Sequence, residues 1–145
     1  MNQQRILVVD DSPTALRLTS ELLSENGFDV ITASDGVEAL EVAGRDHPNL
    51  IVLDIILPRK NGFQVCRKLR SETNTEDISI VMLSSKNQDH DRQWAERQGA
   101  DGYLTKPYNA DELLSCIHSV LDRAKGDSRS NAADNSTETV GSAAE

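Results

Sequence analysis

A three-layer α/β/α domain built on a doubly wound, five-stranded parallel sheet is predicted by three observations. Short, wholly apolar runs such as Ile6-Leu-Val-Val9 and Leu50-Ile-Val-Leu53 read as strands covered on both faces. These runs alternate strictly with stretches of helical spacing, giving βαβαβαβαβα, a pattern that right-handed crossovers fold into a sheet between two helix layers. The chain of 145 residues, 37% of them hydrophobic, is long enough for one apolar core without disulfides or structural zinc.

Taken in order, the first strand runs from Arg5 to Asp10. A helix follows with Ser12 as N-cap and Pro13 in its first turn; Ala15, Leu18, Leu22 and Leu23 recur at helical spacing, and Gly27 ends it. Phe28 to Ala33 is the second strand. Gly36 to about Arg45 is a helix with Val37, Leu40 and Ala43 inward, stopping before Pro48. Leu50 to Asp54 is the third strand, and Gln64 to about Glu72 a helix with Val65, Cys66 and Leu69 inward. Ile78 to Leu83 is the fourth strand. Asn87 to Gln98 has helical composition but only Trp94 and Ala95 as apolar members, so its packed face is thin. Gly102 to Thr105 is the fifth strand, and Asp111 to Arg123 the closing helix, with Leu113, Leu114, Ile117, Val120 and Leu121 on one face.

Residues 1–125 are expected to form the domain. The stretch 126–145 has Val140 as its one large aliphatic residue and no aromatic, too little to offset its ordering entropy, so a disordered polar tail is expected there. The net charge of −9 and pI near 4.7 offer no basic stripe for phosphate backbones, and nucleic acid is not an expected partner. No apolar run approaches the roughly 18–20 residues that span a bilayer, so no membrane insertion and a cytoplasmic location are expected. Cys66 and Cys116 lie outside any C-x-x-C arrangement and read as small core-facing thiols of a reducing compartment.

The chemistry gathers at the carboxyl ends of the strands, where sheets of this kind bind ligands. The first strand ends in Asp10-Asp11, the third in Asp54, the fourth in Ser84-Ser85 and the fifth in Lys106-Pro107; the second, ending Ala33-Ser34-Asp35, has no clear candidate. Carboxylates brought within a few ångströms of each other repel unless a cation or proton intervenes. A hard divalent cation with oxygen ligands and retained waters, Mg²⁺, resolves this. One carboxylate is then available as a nucleophile, since an Asp attacking phosphorus forms an acyl phosphate. Lys106 and Ser84 would stabilise charge on the phosphoryl oxygens.

Val8-Val9-Asp10-Asp11-Ser12, Asp54-Ile-Ile-Leu-Pro58 with Gly62, Ser84, and Lys106-Pro107, in this order and spacing, resemble the receiver domain of bacterial response regulators, the CheY-like superfamily, over residues 5 to 124. The resemblance implies a flavodoxin-like sheet of order 2-1-3-4-5. It implies Asp54 as phosphoacceptor, and Mg²⁺ held by Asp10, Asp11, Asp54 and the main-chain carbonyl of Ile56. Ser84 becomes the hydroxyl that moves to the phosphoryl group and Lys106 its charged partner, with Tyr103 as the aromatic whose rotamer reports activation. A cis bond is implied before Pro107. Ser84 stands where Thr is commoner and Leu57 where Met is usual. Two positions past the acceptor, apolar Ile56 offers no group to orient water, and two past Ser84 stands Lys86; slow to moderate dephosphorylation is expected.

A narrower resemblance, in residues 84–91 and 94–107 with Trp94 as the telling residue, is to stand-alone receivers of the PilH-like group, which serve type IV pilus twitching and phototaxis. It implies a regulatory switch rather than an enzyme, phosphorylated by a CheA-like histidine kinase or a phosphotransfer domain. The downstream effector would be a separate protein such as a pilus motor component, and the chain a monomer or weak dimer. Trp94 reads equally as a core filler or, with Tyr103 and Tyr108, as part of a partner face.

Three alternatives stay open on residues alone. An aspartyl phosphatase commonly needs a second Asp two positions after the first, where this chain has Ile56. A flavodoxin-like cofactor carrier wants a Ser/Thr/Gly-rich phosphate loop after the first strand, where this chain has two carboxylates. A receiver-like binding module would act without phosphorylation.

Overall fold

The computed structural model describes residues 3–85 and 89–133, and within these the side chains of all but 89–91 and 125–133. Five strands, β1 (Arg5–Val9), β2 (Asp29–Ala33), β3 (Leu50–Asp54), β4 (Ser79–Ser84) and β5 (Gly102–Thr105), alternate with five helices. The helices are α1 (Pro13–Glu25), α2 (Gly36–Asp46), α3 (Gly62–Ser71), α4 (Asp89–Arg97) and α5 (Ala110–Ala133). All neighbouring strands pair in parallel, in the order β2-β1-β3-β4-β5. The chain therefore winds outward from β1 in both directions, and a crevice opens at the carboxyl ends of β1 and β3, where the direction reverses.

The two faces of the sheet carry separate cores. On one, Leu7, Val9, Ile51, Leu53, Ile80 and Met82 pack against α2, α3 and α4 through Ala39, Val42, Val65, Cys66, Leu69 and Ala95. On the other, Ile6, Val8, Leu50, Val52, Val81 and Leu83 meet α1 and α5 through Leu23, Leu113, Ile117, Val120 and Leu121. Residues of β1, β3 and β4 alternate between these clusters, which is why their sequences are apolar throughout.

Local chemistry ends the elements. Ser12 accepts from the Ala15 N–H at 3.2 Å and Pro13 occupies the first turn of α1. At its far end Gly27 has φ +92°, Phe28 N–H donates to the Leu23 carbonyl and Gly27 N–H to that of Ser24, both at 3.1 Å. This closing motif seats Phe28 on Leu23 in the α1/α5 core. Gly99, at φ +101°, closes α4 in the same way, with Ala100 N–H on the Ala95 carbonyl and Gly99 N–H on that of Glu96.

Several boundaries differ from the sequence reading. α3 begins at Gly62 rather than Gln64, because Asn61 caps it and Gln64 reaches back to the Asn61 N–H, a reciprocal capping box. α2 turns Ala39, Val42 and Ala43 inward, with Val37 and Leu40 only partly covered. Leu18 on α1, one of the apolar positions at helical spacing, is 56% exposed and borders a groove between α1 and the segment after β5. α5 does not stop at Arg123; its backbone continues helically to Ala133, past Leu121, the last core residue among those whose side chains are described, and into the stretch expected to be disordered. Helix-favouring Ala124 and Lys125 let the hydrogen-bond ladder propagate there. Residues 134–145 and Lys86 lie outside the described residues.

Candidate functional site

Asp10 follows β1 directly and is 5% exposed. Its Oδ1 accepts from the Ser12 N–H at 2.9 Å, which leaves Oδ2 directed at the strand ends. Asp54, the last residue of β3, is 6% exposed, and its Oδ1 accepts from the Ile56 N–H at 3.1 Å. Asp11 is exposed. Asp10, Asp11 and Asp54 each offer one carboxylate oxygen, and the three lie within 4.8 Å of one another.

Lys106 comes in from the end of β5. Its Nζ stands 2.9 Å from Asp54 Oδ2 and 3.2 Å from Asp10 Oδ2. Its own N–H donates to the Ser84 carbonyl at 2.7 Å, and the bond to Pro107 is cis, as expected. Burial pushes the Asp54 carboxyl above its ordinary pKa, against the hydrogen bond and charge of Lys106 and the Ile56 N–H. For Lys106 burial opposes the charged form, and the contacts with Asp54 and Asp10 outweigh it, so its pKa is raised.

Three carboxylates against one ammonium leave two negative charges in the pocket. All the available ligand atoms are hard oxygens, and on Asp10 and Asp54 a backbone N–H holds one oxygen in place. That donor set fits a divalent cation of the Mg²⁺ type, which accepts one or two carboxylates and completes its shell with water.

The other residues singled out from sequence occupy defined places. Ser84 ends β4 at 3% exposure, its backbone in register with Thr105. Ile56 sits in the turn after β3 with its side chain 59% exposed. Tyr103, half-buried on β5, packs into the α2/α3/α4 core beneath the Arg92 guanidinium. Trp94 is 46% exposed and meets Phe63 of α3 edge-on at 6.3 Å. Tyr108 packs on the opposite layer with the α1/α5 core, so it does not share a face with Tyr103.

The loop after β3 is held by close backbone approaches that have no signature in the sequence. A Cβ on Gly62 would come within 2.6 Å of the Asp54 carbonyl, and one on Gly36 within 2.1 Å of the Lys60 carbonyl. The loop is therefore wedged between the first turns of α2 and α3. Arg59 takes φ +71° while Lys60 N–H donates to the Pro58 carbonyl at 2.8 Å, a γ-turn. Its guanidinium reaches Asp35 Oδ2 at 3.3 Å rather than the acidic cluster. Asp35, set aside from sequence, caps α2 by accepting from the Glu38 N–H at 2.7 Å. The signal was present as an acid three residues before Glu38, next to a Gly at the helix start.

Fold and site together define a doubly wound α/β domain with an acidic pocket at its topological switch point. The chain belongs to the response regulator receiver domain family, whose pattern it matches over residues 6–118. It is 38% identical to the protein PilH of Pseudomonas aeruginosa over 117 residues, covering 81% of this chain and 97% of that one. To the probable transcriptional regulator ycf27 of Porphyridium aerugineum it is 42% identical over 136 residues, 94% of this chain but only 55% of that one. The chain thus spans about half the length of such regulators.

Among solved structures, a CheY-like receiver domain protein from Methanospirillum hungatei superposes with a TM-score of 0.81 at 28% identity, covering 87% of this chain and 99% of that one. The receiver domain of sensor histidine kinase PA1611 from Pseudomonas aeruginosa, with a magnesium ion in its active-site cleft, gives 0.77 at 27% identity, covering 83% and 99%. Receiver domains are regulatory switches rather than ordinary enzymes. No helix among the described residues is long and apolar enough to cross a membrane.

Proposed function

We propose that this chain is a phosphorylated switch of a two-component or chemosensory relay, with Asp54 as the phosphoacceptor. The observation that carries this reading is the position of Asp54: buried at a strand end, clustered with Asp10 and Asp11, and in contact with Lys106 at 2.9 Å. Asp10, Asp11, Asp54 and the Ile56 carbonyl would hold Mg²⁺, which when bound screens the carboxylates from an incoming phosphoryl group and neutralises charge on its oxygens. In the transfer, an Asp54 carboxylate oxygen bonds to phosphorus as the P–N bond to a donor imidazole breaks, and the imidazole nitrogen takes up a proton. Lys106 can move from Asp54 to a phosphoryl oxygen, and Ser84 supplies a hydroxyl donor from the next strand.

The donor in this reading is a CheA-like histidine kinase or a phosphotransfer domain. A groove of about 650 Å³ beside Lys106, lined by Ala15, Leu18, Leu22, Pro107 and Tyr108, supports it by offering such a protein an apolar landing surface next to the carboxylates. The output passes by contact, with Tyr103 as the switch aromatic and Trp94 on the exposed face of α4. Similarity to PilH over nearly that whole protein favours a receiver unit of residues 1–125 working in the cytoplasm in type IV pilus motility or taxis, through an effector such as a pilus motor component.

Intact-mass measurement after incubation with Mg²⁺ and acetyl phosphate, then with a histidine kinase, tests the reading. A gain of one phosphoryl group that needs both Mg²⁺ and Asp54, and is absent in Asp54→Ala, is expected. No gain from either donor would overturn it in favour of a binding module that acts without phosphorylation.

A further inference from the structure

Tyr103 lies on the edge strand β5 in register with Met82, and both pack into the α2/α3/α4 core. Side chains alternate along a strand and paired residues share a face, so Ser84 and its partner Thr105 lie on that same face, one step nearer the site. α4 covers this face through Ala95, which is fully buried. One turn before Ala95, the Arg92 guanidinium lies over the Tyr103 ring, 4.7 Å from its centroid.

The far end of α4 is fixed independently of that contact. Arg70 Nε donates to the Gly99 carbonyl at 2.9 Å, and the Cys66 thiol donates to the Gln98 carbonyl at 3.1 Å, both from α3. Arg70 also bonds Asp101 at 2.7 Å. Among the described residues no carboxylate pairs with Arg92. Its guanidinium lies over the electron-rich ring face, a modest attraction because Arg92 is itself exposed. α4 is anchored at its C-terminal end to α3, while its side toward β5 is held by Ala95 and by the contact of Arg92 with Tyr103.

We propose that Arg92 is a positioning residue that latches Tyr103 and α4 in the packing seen here, and that activation at Asp54 must release this contact. The latch rests on the switch reading above. A shift of α4 relative to β5 changes the seating of the guanidinium on the Tyr103 ring, so the contact favours the packing seen here. The contact weights the equilibrium between two packings by its own free energy and no more.

The test uses the full chain with fluorotyrosine incorporated and the Tyr103 signal assigned by Tyr108→Phe, read by fluorine NMR with and without Mg²⁺ and beryllofluoride as the phosphoryl mimic. In Arg92→Gln without the mimic, the Tyr103 signal should move part of the way toward its beryllofluoride position in the parent protein. The apparent affinity for beryllofluoride should tighten about two- to fivefold, with Arg92→Lys in between. A parent protein that responds to beryllofluoride while Arg92→Gln is indistinguishable from it would overturn the latch alone. A parent protein whose Tyr103 signal ignores beryllofluoride would overturn the switch reading and the latch with it.

Discussion

Lys106 binds Asp54 with its side chain, Nζ to Oδ2 at 2.9 Å, and is tied by its backbone N–H to the carbonyl of Ser84 at 2.7 Å. One residue thus joins the phosphoacceptor candidate on β3 to the hydroxyl candidate on β4. The same ammonium also separates Asp54 from Asp10, 3.2 Å away.

Replacing Lys106 by Met removes the only cation among the described contacts of these two buried carboxylates and leaves them repelling each other. Stability without divalent metal should fall by about 1–3 kcal/mol. Because the pocket becomes more negative, Mg²⁺ should then raise the melting temperature of Lys106→Met more than that of the parent. Calorimetric melts at zero and millimolar Mg²⁺ decide this, and an equal Mg²⁺ response would mean that the ammonium does not share the cation's field.

Asp11 isolates the metal question from the folding question. It is exposed, whereas Asp10 and Asp54 are buried and hydrogen-bonded to backbone. Asp11→Asn should therefore leave the metal-free protein at least as stable as the parent, by easing like-charge repulsion. It should weaken Mg²⁺ binding at least about tenfold in isothermal titration, since even outer-shell groups are worth that much. Unchanged Mg²⁺ affinity would remove Asp11 from the ligand set.

How much of this was legible in the sequence follows from which features are local. Asp10, Asp54 and Ser84 could be placed because each ends a run whose apolar character is dictated by two-sided burial, while Lys106 follows the short, partly covered edge strand β5. The order of the strands, by contrast, came only through resemblance. The start of α3 was misjudged although Asn61 and Gln64 stand at capping-box spacing, because Gly62 and Phe63 do not announce a helix. Leu18 shares the helical spacing of Ala15, Leu22 and Leu23, and its place in a groove between α1 and the end of β5 depends on tertiary packing that spacing does not encode. The γ-turn at Arg59 had no local signal at all. It exists because Gly36 lets the Lys60 carbonyl approach to where a Cβ would stand.

Two glycines separate steric from conformational demand. Around Gly62 a Cβ would meet backbone atoms, the Asp54 carbonyl oxygen at 2.6 Å and Ile55 Cα at 2.8 Å, which cannot swing aside. Around Gly27 nothing lies within 4 Å, and only its φ of +92° resists substitution. Gly62→Ala should cost at least about 2 kcal/mol in urea unfolding and disturb the loop carrying Ile56. Gly27→Ala should cost about 1 kcal/mol and leave Mg²⁺ binding unchanged. Equal costs would show that the β3–α3 loop relaxes around the new methyl.

Cys66 supplies a pH dependence remote from the acidic pocket. It is fully buried under α3, its thiol donates to the Gln98 carbonyl, and burial pushes its pKa up from 9.0 to about 11, with Arg70 opposing. Between those two values the unfolded chain releases the thiol proton while the native protein keeps it, so the unfolded state binds fewer protons and stability falls as pH rises. Below pH 9.0 both states hold the proton and the thiol contributes no slope. At pH 10.5 the loss assignable to this residue is about 2 kcal/mol. Urea unfolding at pH 8 and 10.5 should show Cys66→Ala less stable than the parent at both, through lost packing, yet with a drop between the two pH values smaller by that amount. Contributions common to the two proteins cancel in the difference. Parallel losses in the two proteins would mean that the native core admits the thiolate, and α3 would then have to open toward the α4–β5 loop to solvate it.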